Sequence, residues 1–137
     1  MKHNMLLFVV SMVLLASNSY ASKERILALS NFRVESTGVG ESGAVVVTGS
    51  QTSSGIASIR VDAFGKSFLL SKNDLEKLQG VIVNGIQISY EAGYQDLGGR
   101  TIYLLLATGF TSGVPEGKLV SITERGDIRI ENAARPQ

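Results

Sequence analysis

Ile56-Ala-Ser-Ile-Arg-Val-Asp-Ala-Phe64 is the stretch from which the fold is read. Its apolar residues fall at every second position, so a β-strand would put Ala57, Ile59, Val61 and Ala63 on one face and Ser58, Arg60 and Asp62 on the other. Similar short runs rich in Val, Ile, Phe and Tyr recur on both sides, separated by Gly, Ser, Asn and Asp. Expected strands are 26–35, 44–48, 56–64, 67–70, 81–83, 86–90, 101–108, 118–123 and 127–131. This pattern predicts a mainly β fold, a single antiparallel β-sandwich or small β-barrel.

One segment departs from it. In Ser71-Lys-Asn-Asp-Leu-Glu-Lys-Leu-Gln-Gly80, Ser71 is placed to cap a helix, Asp74 to return the bond, and Gly80 to end it. A short helix over about residues 72–79 follows, with Leu75 and Leu78 on one face to plug an end or edge of the sheet.

Two turns set the strand register. Asn84-Gly85 predicts a two-residue hairpin that pairs Val83 with Ile86 and Val81 with Ile88. At Glu124-Arg-Gly126 a three-residue loop, with Gly126 in the left-handed conformation, pairs Ile122 with Ile128 and Val120 with Ile130. A two-residue loop would set Ile122 against Arg129 and mix the faces.

The N-terminus reads as a secretory signal peptide over residues 1–21. Lys2 and His3 precede the apolar run Met5 to Ala16, and Ser19 and Ala21 stand before the expected cleavage point. The run is well short of the roughly 20 apolar residues that span a bilayer. No cysteine is present to carry a lipid or a disulfide. A single β-rich domain over 22–137 is therefore expected in the periplasm or the medium, without a stable membrane anchor after cleavage. No Asn-x-Ser/Thr sequon appears, which favours a bacterial envelope.

Cleavage also removes the only histidine and one of the 13 Lys plus Arg, which brings them level with the 12 Asp plus Glu. A neutral chain has no basic stripe for nucleic acid. Without imidazole, thiol, Ser-x-x-Lys or G-x-S-x-G, the usual nucleophilic machinery is missing, and the expectation is a protein that is not an enzyme and takes no cofactor or metal. Glu91 with Asp96, or Glu124 with Asp127, would at best hold a hard cation, and their spacings match no metal loop.

Two motifs read as turn chemistry. Gly38-Val-Gly-Glu-Ser-Gly43 matches G-x-G-x-x-G, but Ala44-Val-Val-Val-Thr48 is β-forming where a dinucleotide site needs a helix. Arg125-Gly-Asp127 matches an integrin-binding tripeptide, and a glycine-containing hairpin tip accounts for it.

What remains points to recognition of another envelope or secreted protein, as an inhibitor, immunity or assembly-accessory protein. The connection 91–100 carries Tyr94, Gln95, Asp96 and Arg100, and the loop 109–117 carries Phe110. Tyr and Arg are favoured at interfaces, and an aromatic at a loop tip suits burial in a partner. Ile102-Tyr-Leu-Leu-Leu-Ala107, apolar on both faces, supports a second expectation, a small barrel carrying an apolar ligand. A carboxylate-dependent glycan hydrolase is the third.

Overall fold

The computed structural model describes residues 27–38, 43–91, 99–111 and 113–133. In chain order they form β1 (Asn31–Glu35), β2 (Val46–Thr52), β3 (Gly55–Ala63), β4 (Lys66–Leu69), α1 (Lys72–Glu76), β5 (Gly85–Glu91), β6 (Thr101–Thr111), β7 (Val114–Thr123) and β8 (Ile128–Asn132). The expected signal peptide, residues 1–21, lies outside the described residues, as do positions 39–42 of the glycine motif.

Alternation builds two four-stranded antiparallel sheets, β1-β2-β3-β4 and β5-β6-β7-β8, each with its strands in sequence order. The inner residues of both, including Val47, Ile59 and Val61 from the first and Ile102, Leu104, Leu106, Val120 and Ile122 from the second, form one fully buried cluster. The fold is therefore a β-sandwich rather than a closed barrel. One face of the Ile102–Ala107 run meets the opposite sheet, while Tyr103 and Leu105 lie half-buried on the outside.

The deciding strand differs from its sequence reading at one residue. Ser50 pairs with Ser58, but Gln51 pairs with Ile56, so Ala57 is the extra residue of a β-bulge. The bulge reverses the alternation: Ile56 turns inward and Ala57 is exposed. The inner row of β2 then runs without interruption through Val45, Val47 and Gly49 to Gln51. Gly49 has no side chain because the Phe32 ring from β1 and the Ser58 carbonyl occupy the space a Cβ would need.

Gln51 decides how the sheets are joined. Its side chain is 8% exposed, and its amide pairs with Val83 on both sides: Val83 N donates to Oε1 (2.6 Å), and Nε2 donates to Val83 O (3.0 Å) and Leu29 O (2.6 Å). Leu29 N donates to Val83 O as well (3.0 Å). The expected strand 81–83 and the hairpin at Asn84-Gly85 are therefore not formed. Val83 has its hydrogen bonds met by Gln51 and Leu29, and β5 pairs instead with β6, Ile86 facing Leu106 and Ile88 facing Leu104. Asn84 caps this edge, its N donating to Ala107 O and its Nδ2 to Thr108 O.

The helix is as expected at its start and shorter at its end. Ser71 and Asp74 form a reciprocal capping box. After Glu76 the chain turns so that Gln79 bridges to Gly55 and Gly80 N reaches Ser54 O. Leu78, fully buried, seals the core beside the β2–β3 hairpin; burial of such a side chain is worth about 1.5–3 kcal/mol.

The β7–β8 turn follows its sequence reading: Ile122 pairs with Ile128, Val120 with Ile130, and Gly126 has φ +98°. The 109–117 segment does not. It is no long loop, because β6 and β7 continue through it, with Phe110 paired to Pro115 and Thr111 to Val114.

Replacing Gln51 by Leu leaves the buried Val83 N–H without its acceptor, which costs about 3 kcal/mol of unfolding free energy in urea denaturation. Gln51→Glu fares no better, since a carboxylate cannot donate to the two carbonyls. A loss under about 1 kcal/mol for the leucine variant would show that water replaces the amide.

Candidate functional site

Of the residues singled out from sequence, Tyr94, Gln95 and Asp96 lie outside the described residues. Arg100 stands just before β6 and Phe110 near its end. At about 3.4 Å per residue they are separated by roughly 30 Å, so Arg100 and the Phe110 backbone belong to opposite ends of the sandwich.

The Arg100 end is a clasp between the sheets. Arg100 Nε donates to Glu124 Oε2 (2.7 Å), Glu124 N donates to Arg100 O (2.9 Å), and Lys66 Nζ, at the start of β4, donates to Glu124 O (2.8 Å). The guanidinium carbon lies 5.2 Å above the centre of the Phe64 ring. Phe64 holds φ +55°, a left-handed conformation costing a branched side chain about 1–2 kcal/mol. The cation–π contact and packing against the core offset that cost. Gly99, at φ +96°, lets the backbone pass against the Glu124 carboxylate, which a Cβ would strike. Sequence reading placed Arg100 at a partner surface and missed Phe64 and Lys66. Nothing local in the chain pairs residues from turns so far apart.

The Arg125-Gly-Asp127 tip adjoins this clasp. Arg125 is exposed, while Asp127 is drawn back: its N donates to Thr123 Oγ1 (3.1 Å), whose hydroxyl reaches Asp127 Oδ2 (3.3 Å). Glu124 and Asp127 are thus engaged separately, and no group of three or more metal-ligating side chains occurs among the described residues.

At the other end, β6 and β7 outrun their neighbours. The last pair with β5 is Ala107–Gly85, and the last with β8 is Lys118–Asn132. Beyond these, Thr108–Thr111 and Val114–Gly117 form a two-stranded ribbon that no other described strand flanks. Thr108 is a bulge at its base. Gly117 is required there, because a Cβ would overlap the Leu106 carbonyl. An open groove of about 460 Å³, lined by Gly80, Val81, Ile82, Thr108, Gly117 and Lys118, runs along the foot of the ribbon.

A third surface is the outer face of the second sheet. Tyr103 donates to Glu91 Oε2 (2.7 Å), a bond that with partial burial raises the phenol above its ordinary pKa. The apolar reading of both faces of 102–107 was the available signal for it.

The clasp has a pH signature. The Arg100 hydrogen bond and charge hold the Glu124 carboxyl below its ordinary pKa, and Ser67 and Arg60 do the same for Asp62. A group lowered by folding stabilises the fold above its unfolded pKa, and that stabilisation disappears as pH falls through the folded value. The melting temperature should therefore drop as pH falls below about 4, the ordinary carboxylate range. Glu124→Gln should show a smaller drop, because one of the two groups is gone. An identical pH dependence in both proteins would show that the pair is uncoupled from folding. No protein-family model matches the chain, and no curated protein or solved structure matches it, so the residues themselves are the ground for a functional reading.

Proposed function

We propose that the chain is an exported recognition protein that grips another envelope or secreted protein through the β6–β7 ribbon, without turnover of a substrate. The overhang of the ribbon carries this reading. Extending two strands beyond a sandwich exposes backbone that the rest of the fold does not need, and such projecting segments on a rigid scaffold are where binding residues concentrate.

The ribbon brings Phe110 and Val114 to adjacent pairs, with Gly113 beside them. Buried aromatic side chains dominate many interfaces. A standard interface takes about 800 Å² from each partner, more than the ribbon alone offers. The groove along Val81, Ile82 and Lys118 supplies adjoining surface on the same end. Arg100, in its clasp with Glu124, serves the scaffold instead. The N-terminal layout of residues 1–21 supports a periplasmic or secreted address, and the absence of histidine and cysteine beyond it supports binding over catalysis.

Site-specific photo-crosslinking separates this reading from a passive surface. A photoreactive side chain at position 114 should give one discrete heavier adduct in the envelope fraction, and the same group at position 60, on the outer face of the first sheet, should give none. Adding Phe110→Ala to the position-114 protein should reduce the adduct at least several-fold without lowering the melting temperature. Equal labelling from both positions, or none from 114, would sink the ribbon as the contact.

A further inference from the structure

The two outer faces of the sandwich differ in a way that packing alone does not require. On the first sheet, outward charges pair along their own strands, Arg33 with Glu35 (2.9 Å) and Arg60 with Asp62 (3.0 Å), and these side chains are largely solvated. That is the ordinary water-facing side of an antiparallel sheet, mostly polar where the other side is apolar, with Leu69 beside Arg60 its exposed apolar exception. The second sheet breaks the rule. Leu105 and Leu119 are directly paired on its outer face, Tyr103 and Ser121 are paired in the adjoining row, and Thr101 with Thr123 in the next. The first four are half-buried, and Thr101 is only 5% exposed.

These rows form a trough of about 510 Å³ across β6, β7 and β8. That is within the roughly 300–1,000 Å³ of small-molecule sites. Its floor has two kinds of surface side by side. Tyr103 and Leu119 offer flat apolar area, and the Tyr103 ring is held in place by its phenolic bond to Glu91. Ser121 and Thr123 offer hydroxyls that both donate and accept. Asp127, Arg129 and Glu131 stand along the rim. Arg129 lies 3.8 Å from the Glu131 carboxylate, so the single rim cation is already balanced.

We propose that this trough binds a neutral oligosaccharide. A sugar ring has the same division as the floor, an apolar C–H face and a rim of hydroxyls that donate and accept. An aromatic beside an aliphatic floor matches the first, and serine, threonine and rim carboxylates match the second. Polyanions are disfavoured, because two rim carboxylates outnumber one arginine. An extended peptide would be expected at a sheet edge, where backbone groups are free, rather than across a face whose strands are mutually paired. The inference is independent of the ribbon reading, since the trough and the ribbon involve different residues.

The test uses the mature chain in solution, with soluble tetrasaccharides of β-linked glucose and of β-linked N-acetylglucosamine as probes and backbone amide NMR as readout. At least one should give saturable shifts at Thr101, Tyr103, Ser121, Thr123 and Arg129, with a Kd in the range of about 10 μM to 1 mM expected for an open, shallow site. Ser121→Trp, which fills the trough, should weaken binding about tenfold or more while the melting temperature holds. Arg129→Ala, at a side chain 73% exposed, provides a second variant that cannot threaten the fold and should weaken binding several-fold. No saturable shift with either sugar up to about 10 mM, shifts confined to other residues, or sedimentation showing this face buried between two copies would each overturn the proposal.

Discussion

The side-chain amide of Gln51 is the constraint on which the arrangement of the two sheets depends. A primary amide carries the same donor and acceptor as a peptide group, and here it takes the place of a missing strand. Val83 is fully buried in the passage from the first sheet to the second, and its N–H and C=O both need partners there. Gln51 supplies one of each, and through Leu29 it also ties down the segment that leads into β1. The bulge at Ala57 belongs to the same solution: by returning Ile56 to the inner face, it keeps an apolar neighbour opposite Gln51 and leaves the amide pointing at the crossover. No buried side-chain nitrogen or oxygen among the described residues lacks a partner, so this buried polar contact is complete.

That device also explains which parts of the fold could be read in the sequence. The β7–β8 turn was legible because alternation on both of its strands had to agree, and only a three-residue loop satisfied Ile122, Ile128, Val120 and Ile130 together. The capping box was legible because Ser71 and Asp74 are three residues apart and their interaction is local. Val81-Ile-Val83 misled because Val83 is buried as a strand residue would be, yet its pairing partner is a side chain 32 residues earlier. The Asn-Gly signal that followed was equally local, and it lost to the tertiary hydrogen bonds of Asn84. The 109–117 region misled in the other sense. Its glycines and proline suggested a loop, but Pro115 lies on a ribbon with no described strand on its far side, where a missing N–H costs no ladder bond. Of the candidate site, the Phe110 segment was read as a loop where the strands in fact continue, and the engagement of Arg100 with Phe64, Lys66 and Glu124 depends on chain folding alone.

The sandwich consequently has ends of different character. At one, the β3–β4 and β7–β8 turns are bound together by Lys66, Arg100 and Glu124, with Phe64 strained into place beneath the guanidinium. At the other, α1, the crossover and Asn84 close the core, and the β6–β7 ribbon continues past them. Among the described residues, the positive-φ backbone of Phe64 and the Arg100–Glu124 ion pair lie where the sheets must be held, and the projecting backbone is found where they are already sealed. On the proposed function, a contact at the second end would leave the clasp at the first undisturbed.

Charge sorting reinforces that division. Arg33, Arg60, Lys77, Arg100 and Arg129 each face a carboxylate on the same chain. Exposed pairs of this kind add little stability, about 0–1 kcal/mol each, but they cancel the local field. On the proposed function, a chain whose net charge is only +1 and whose exposed cations are largely paired would exert little long-range pull on a partner, so association would proceed without strong electrostatic steering. On the two proposals, selectivity would come from contact: the shape of the ribbon and its groove at one end, and the juxtaposed apolar and hydroxyl surfaces of the trough across the second sheet. Both depend on rigid strands held in fixed register. The buried Gln51 amide, by fixing the crossover that starts the second sheet, is what sets those strands in place.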